Sequence, residues 1–212
     1  MDKTAIILAG GFSKRLREDK GLIKLAGKPL ILHVIDRISN AVDEVIIVVG
    51  SEDQKKDYSC ILKSAVKIIT DKYDAQSPIV GALTGFENAK GKYSLLLPCD
   101  TPFISSEIAS LLLELCINTD AVVPRWPSGY LEPLQACYRT KSSLVAARKA
   151  LKDRRLDIRS MISHLKKVTY LPTTALEQID PKLMTFFNVN TPEDLKKAEL
   201  TLKQLFHRIL EY

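Results

Sequence analysis

At 212 residues, with 46% hydrophobic and 26% charged residues, the chain has the length and composition of one globular domain with a substantial core. The formal net charge of +6 favours anionic partners, but acidic residues are interleaved and the basic excess gathers near residues 14–28 and 148–167. That distribution suits phosphates better than a nucleic-acid duplex. Cys60, Cys99, Cys116 and Cys137 form no C-x-x-C pair and have no histidine at ligand spacing, so neither a zinc site nor a disulfide framework is signalled.

Only Met1 to Thr4 precede the first apolar run, which is too short for a signal-peptide core or a membrane span. The expectation is a soluble, cytoplasmic protein with reduced, mostly buried thiols and no membrane partner. Ile6-Ile7-Leu8-Ala9 reads as a buried strand that breaks at Gly10-Gly11 into the basic segment Phe12 to Lys20. Paired glycines let backbone N–H groups approach an anion, and Ser13, Lys14, Arg15 and Lys20 add donors and charge. No Gly-Lys-Ser/Thr closes this loop and no G-x-G-x-x-G is present, so neither a Walker P-loop nor a dinucleotide fingerprint applies.

Leu22 to Pro29 reads as a short extended piece and turn, and Leu30 to Ile38 as a helix. Glu44 to Val49 is the second strand, buried on both faces, and it ends at Gly50. Ser51 to Lys63 contains the crossover helix, Val66 to Thr70 is the third strand, and Asp71 follows it. Ile79 to Ala89 has helical spacing, with Gly81 and Gly85 permitting close backbone approach. Tyr93 to Leu97 is the fourth strand, stopped at Pro98 and followed by Cys99-Asp100-Thr101-Pro102-Phe103. Ser105 caps a helix to about Ile117, with Leu111, Leu112 and Leu115 on its apolar side.

Strand and helix thus alternate as in a doubly wound α/β sheet, where ligands collect at the carboxyl ends of the strands. Gly10, Asp71 and Asp100 each fall just past such an end. Ala121 to Pro124 is a further strand, and a loop carrying Trp126 and Tyr130 leads into another that ends at Tyr138. Those two aromatics either stack on a flat ring or cover the core edge. Lys141 to Leu151 and Asp157 to Leu165 read as helices, with Val168 to Leu171 extended after them. Lys152, Arg154, Arg155 and Arg159 form a basic cluster, either solvated or facing a phosphate-bearing second substrate. Phe186-Phe187 reads as a short strand before a helix capped by Thr191, with Pro192 at its first position. Leu195, Ala198, Leu202, Leu205 and Ile209 make that helix's apolar stripe. His33, His164 and His207 match no catalytic spacing and read as structural or exposed.

Leu8-Ala9-Gly10-Gly11, Cys99-Asp100-Thr101-Pro102-Phe103 and Asn188-Val189-Asn190-Thr191-Pro192-Glu193-Asp194 together resemble the molybdenum cofactor guanylyltransferases, the MobA family. The resemblance runs from about residue 4 to about residue 200. Ser13, Arg15, Asp19 and Lys20 match the family's L-A-G-G-x-S-x-R-M-G-x-D-K, whereas Arg17 stands where that motif has glycine. Val49-Gly50-Ser51 also lacks an asparagine that some members use near the nucleotide.

The resemblance implies a single nucleotidyltransferase domain over residues 1–212, Rossmann-like with a mostly parallel sheet. Its nucleotide-binding half would be 1–105 and its acceptor-binding half 106–212. It implies transfer of GMP from GTP to the phosphate of molybdenum-molybdopterin, with pyrophosphate released. By matching position, Leu8, Ala9, Gly10, Gly11, Ser13 and Lys20 would hold GTP, Asp71 would contact the nucleotide, and Asp100 would bind Mg2+. Asn188 and Asn190 would face molybdopterin, while Arg15, Lys20 and Asp100 would act in transfer. Molybdopterin-carrying proteins are implied partners. Another acceptor, CTP as donor, or a non-catalytic GTP-binding regulator are the alternatives. A nucleic-acid-binding role lacks any supporting motif.

Overall fold

In the computed structural model, which describes residues 2–10, 12–13, 18–62, 65–71, 73 and 77–210, with backbone alone at 12, 13, 18 and 205–210, the first apolar run is strand β1 (Lys3–Leu8). β2 (Glu44–Val49), β3 (Lys67–Thr70), β4 (Tyr93–Pro98), β5 (Ala121–Arg125), β6 (Ala136–Arg139) and β7 (Val168–Pro172) complete a seven-stranded sheet in the order β7-β5-β6-β4-β1-β2-β3. β6 runs antiparallel to β4 and β5, and every other pairing is parallel. The mostly parallel, doubly wound sheet expected from the sequence is therefore present. β1 and β4 are adjacent, Leu8 opposite Pro98, and the order of winding reverses between them. A reversal of this kind opens a crevice at the strands' carboxyl ends.

Side chains alternate across the pleat, which divides the core in two. Ala5, Ile7, Leu95 and Leu97 face one layer with helices α1 (Leu30–Ile38), α2 (Glu52–Ile61) and α4 (Ser106–Leu115). Ile6, Ile46, Val48 and Leu96 face the other, made by α3 (Pro78–Asn88), α5 (Thr140–Lys152) and α6 (Ile158–Ser163). Gly81 and Gly85 each cost α3 about 1 kcal/mol in helix propensity. Burial of Ile79, Val80, Leu83 and Phe86, at roughly 1.5–3 kcal/mol per side chain, outweighs that cost. The expected close approach is real, because a Cβ on Gly85 would lie 2.3 Å from Ile6 Cγ2.

A short helix α7 (Thr173–Leu176), not anticipated from the sequence, follows β7, and α8 (Pro192–Leu210) ends the described chain. Ala198 and Leu202 of α8 join Ile23, Leu25, Leu30, Phe103 and Val189 in a third apolar cluster. Leu195 packs at its edge, whereas the side chains of Leu205 and Ile209 lie outside the described residues. No helix among the described residues is long and apolar enough to cross a membrane.

Two local expectations fail. Leu115 is 40% exposed and Leu113 takes the buried place on α4 instead, since Ile108, Ala109, Leu112 and Leu113 share its inner face. The stretch before Asn188 is no strand but a 3-10 turn, Met184–Phe186. There Thr185 satisfies its backbone away from any ladder: its N–H donates to Asp180 and its carbonyl accepts from Gln135 Nε2. Phe186 and Phe187 turn to Trp126 and Phe103.

Candidate active site

The crevice between β1 and β4 opens into a cleft of about 630 Å³. Leu8, Gly10, Lys20, Asp71, Asp100, Asn188 and Asn190 line it, so seven expected site residues from five separate stretches meet in one place. Ala9 does not. Its side chain is fully buried among core residues and its N–H donates to the Val48 carbonyl at 2.8 Å. Gly11 and Arg15, the side chain of Ser13 and the departure at Arg17 lie outside the described residues.

Pro98 closes β4, and the N–H of Cys99 still donates to Leu8 O at 3.2 Å, so Asp100 starts beside the end of β1. Its side chain is only 7% exposed. Lys20 Nζ lies 3.0 Å from Asp100 Oδ2 and donates to Asn190 Oδ1 at 2.6 Å. The Val189 N–H donates to Asp100 O at 2.9 Å, which ties the Asn188–Asn190 segment to the end of β4. The same segment is held from beyond by Asp194, whose carboxylate accepts from the N–H groups of Asn190 and Thr191. The Thr191 hydroxyl caps α8 in return by accepting from Asp194 N–H at 3.1 Å, a reciprocal capping arrangement. The other Asp100 oxygen, Oδ1, is buried without a hydrogen-bond partner among the described residues. A buried, unsatisfied carboxylate oxygen is costly unless something binds it, and a hard cation fits that vacancy of donors.

Lys20 opens a single 3-10 turn, Lys20–Leu22, capped by Asp19. Asp19 Oδ1 accepts from Gly21 N–H at 3.0 Å and from the fully buried Tyr58 hydroxyl at 2.6 Å. Gln54 of α2 donates to Asp19 Oδ2, and its Oε1 accepts from Gly50 N–H at 2.7 Å. Burial pushes the Asp19 carboxyl above the usual range, against the pull of hydrogen bonds from Tyr58, Gly21 and Gln54. Its effect is positional: α2 grips the residue before Lys20 and the loop after β2 together. Gly10 packs closely here, where a Cβ would lie 3.2 Å from Gly50 N, a tight contact against backbone.

Asp71 begins just past β3, with its N–H donating to Val49 O at 2.8 Å. Its Oδ1 accepts from Thr84 Oγ1 at 2.8 Å, which fixes the carboxylate against α3. Sequence reasoning missed Tyr73, Ser77, Glu132 and Gln135 in the lining, and Tyr58 and Gln54 behind it. Tyr58 stands in a polar, lysine-rich helix, and no spacing distinguishes it. Of the two aromatics left open, Trp126 covers the core edge: it packs on Phe186 with ring centroids 5.6 Å apart and donates from Nε1 to Glu132 at 2.7 Å. Burial raises the Glu132 carboxyl, partly opposed by that indole N–H. Tyr130 lines the cleft with 54% of its surface exposed. Lys152, Arg154, Arg155 and Arg159 are all exposed.

The arrangement offers positive charge, a half-satisfied buried carboxylate and glycine backbone at a sheet crevice, a set of groups able to position and neutralise a phosphate-bearing ligand. Comparison with known proteins agrees with that chemistry. A family profile described as the MobA-like NTP transferase domain matches residues 5–168. A probable molybdenum cofactor guanylyltransferase of Methanosarcina acetivorans is 31% identical over 200 residues, covering 92% of this chain and 88% of that protein. One from Natranaerobius thermophilus is 35% identical over 198 residues, covering 92% and 94%. Among solved structures, the molybdopterin-guanine dinucleotide biosynthesis protein A of Archaeoglobus fulgidus superposes with a TM-score of 0.81 at 27% identity, covering 95% of this chain and 99% of that one.

Proposed function

The chain belongs to the MobA-like NTP transferase family, and on that footing we propose that it transfers GMP from GTP to the terminal phosphate of molybdenum-molybdopterin. The observation that carries the reading is the Lys20–Asp100 pair at the β1–β4 crevice, with Asp100 Oδ1 buried and unpartnered among the described residues. In the reaction an oxygen of the acceptor phosphate bonds to the α-phosphorus of GTP. The α–β bridging bond breaks, and its electron pair leaves with pyrophosphate. No covalent intermediate on the protein is needed, so the chain's task is to position and neutralise.

Gly10 and, from the sequence, Gly11, Ser13 and Arg15 would cradle the triphosphate. Lys20 would place a cation beside the phosphate groups, and Asp71 would contact the nucleotide from the end of β3. Asn190, already held to Lys20, and Asn188 would face the acceptor. Asp100 would hold Mg2+, which when bound draws negative charge from the phosphate oxygens. Among the described residues no three His, Cys, Asp or Glu side chains converge on one point, so the remaining ligands of Mg2+ would be phosphate oxygens and water. The nucleotide would occupy the 1–105 half and the acceptor the 106–212 half of one domain, acting in the cytoplasm. Pyrophosphate release with Mg2+ and molybdenum-molybdopterin, compared for GTP, CTP and ATP, tests the reading. Selective release with GTP is expected; release with CTP in preference would overturn the base assignment.

A further inference from the structure

Among the described residues, the 106–212 half brings to the cleft one exposed aromatic ring, Tyr130, on a loop held by several hydrogen bonds. Trp126 N–H donates to Tyr130 O at 2.8 Å, and Gly129 N–H donates to Trp126 O at 2.8 Å, with Gly129 at a φ of 85° that favours glycine. Arg125 bridges to Leu131, the Trp126 indole is anchored on Glu132, and the Tyr138 hydroxyl donates to Pro133 O at 2.7 Å. Gln135 is buried and reaches Thr185 O. The loop thus has a hydrogen-bonded interior, yet Tyr130 stays 54% exposed at the cleft. Its ring is backed by Arg159, whose guanidinium carbon lies 5.1 Å from the ring centroid. Arg159 is itself placed by α6, where Asp157 caps the helix by accepting from Ser160 N–H at 2.9 Å.

A rigidly presented aromatic ring with a cation on it favours a flat heteroaromatic ring that carries negative charge nearby. We propose that Tyr130, backed by Arg159, is the stacking platform for the pterin ring of the acceptor, and that Arg159 adds attraction for the acceptor's phosphate. The assignment rests on the guanylyltransferase reading, because the acceptor must then present a pterin and a terminal phosphate. It also separates the two sequence alternatives for the aromatics: Trp126 braces and Tyr130 binds. Arg159 likewise leaves the solvated basic cluster to serve the second substrate.

Direct binding tests this without turnover. The probe is a pterin bearing a terminal phosphate, followed by its own fluorescence, with GTP binding measured separately on the same protein. Tyr130→Ala should weaken the pterin phosphate about tenfold, the size expected for one lost aromatic stack. Tyr130→Phe, which keeps the ring, should stay within about twofold of wild type. Neither change should move GTP affinity. Arg159→Gln should weaken the pterin phosphate more than the same pterin without its phosphate. Unchanged pterin affinity in Tyr130→Ala would overturn the proposal, as would a loss of GTP affinity instead, which would assign the ring to guanine. A wild-type protein that binds GTP but not the pterin would overturn the platform alone, whereas one that binds neither would remove the transferase reading with it.

Discussion

Lys20 and Asp100 are 80 residues apart in the chain and 3.0 Å apart in the fold. Their meeting is the product of sheet order, since β1 and β4 become neighbours only because the winding reverses between them. Lys20→Ala would leave Asp100, with only 7% of its side chain exposed, short of both its cation and a donor. A buried acceptor left without its partner costs about 1–3 kcal/mol. We therefore expect reduced stability in urea together with GTP affinity weakened by about tenfold or more, the worth of one charge-assisted contact. Unaltered GTP affinity would remove Lys20 from the triphosphate site.

Tyr58 acts on the same lysine from behind. Tyr58→Phe deletes one buried hydrogen bond to Asp19 while keeping the ring, so stability should fall by about 1–2 kcal/mol. If Asp19 fixes Lys20, the KM for GTP should rise as well. That rise should vanish when the change is made in a Lys20→Ala background, because coupled residues are not additive. Additive effects would mean that Tyr58 supports only the fold.

Gly85→Ala sets helix propensity against packing. The added methyl gains about 1 kcal/mol in an open helix, but here it would lie 2.3 Å from Ile6 Cγ2. Ile6 is fully buried in the central strand and its branched carbon cannot swing away. Overpacking costs typically about 1–3 kcal/mol, so net destabilisation should appear in thermal or denaturant unfolding.

Acid should release the Asn188–Asn190 segment through Asp194. Burial alone would raise that carboxyl, but the Thr191 hydroxyl and the Asn190 and Thr191 amides outweigh it and leave it below the ordinary aspartate value of 3.8. A folded-state value depressed in this way contributes stability above the unfolded value, and that stability is lost as pH falls through the folded one. Acid unfolding followed by circular dichroism should therefore show a component in that window that Asp194→Asn lacks. Superimposable acid limbs would contradict the assignment.

Much of this site is legible along the chain because three of its parts lie just past strand ends. Gly10, Asp71 and Asp100 follow short apolar runs bounded by turn residues, the mark of buried parallel strands, and Asn190 precedes a strong helix start. What sequence could not supply is mutual approach. The grip of Tyr58 and Gln54 on Asp19 depends on how α2 lies against the sheet, and nothing in the polar α2 sequence signals it. Ala9 shows a related limit: motif matching treats neighbours alike, but the fold sends this side chain into the core. Phe186 and Phe187 look like a strand by composition, yet their N–H groups donate within the turn, to Leu183 O and Met184 O, and side chains take over the backbone partners of Thr185.

The most direct test follows the label from GTP radiolabelled at the α-phosphorus, with Mg2+ and molybdenum-molybdopterin, in wild type and Asp100→Ala. The account predicts label in a guanine dinucleotide product with wild type, and loss of nearly all of it in a folded Asp100→Ala protein. Label transfer undiminished in the variant would contradict the role of Asp100, and absence of transfer by wild type would contradict the proposed reaction.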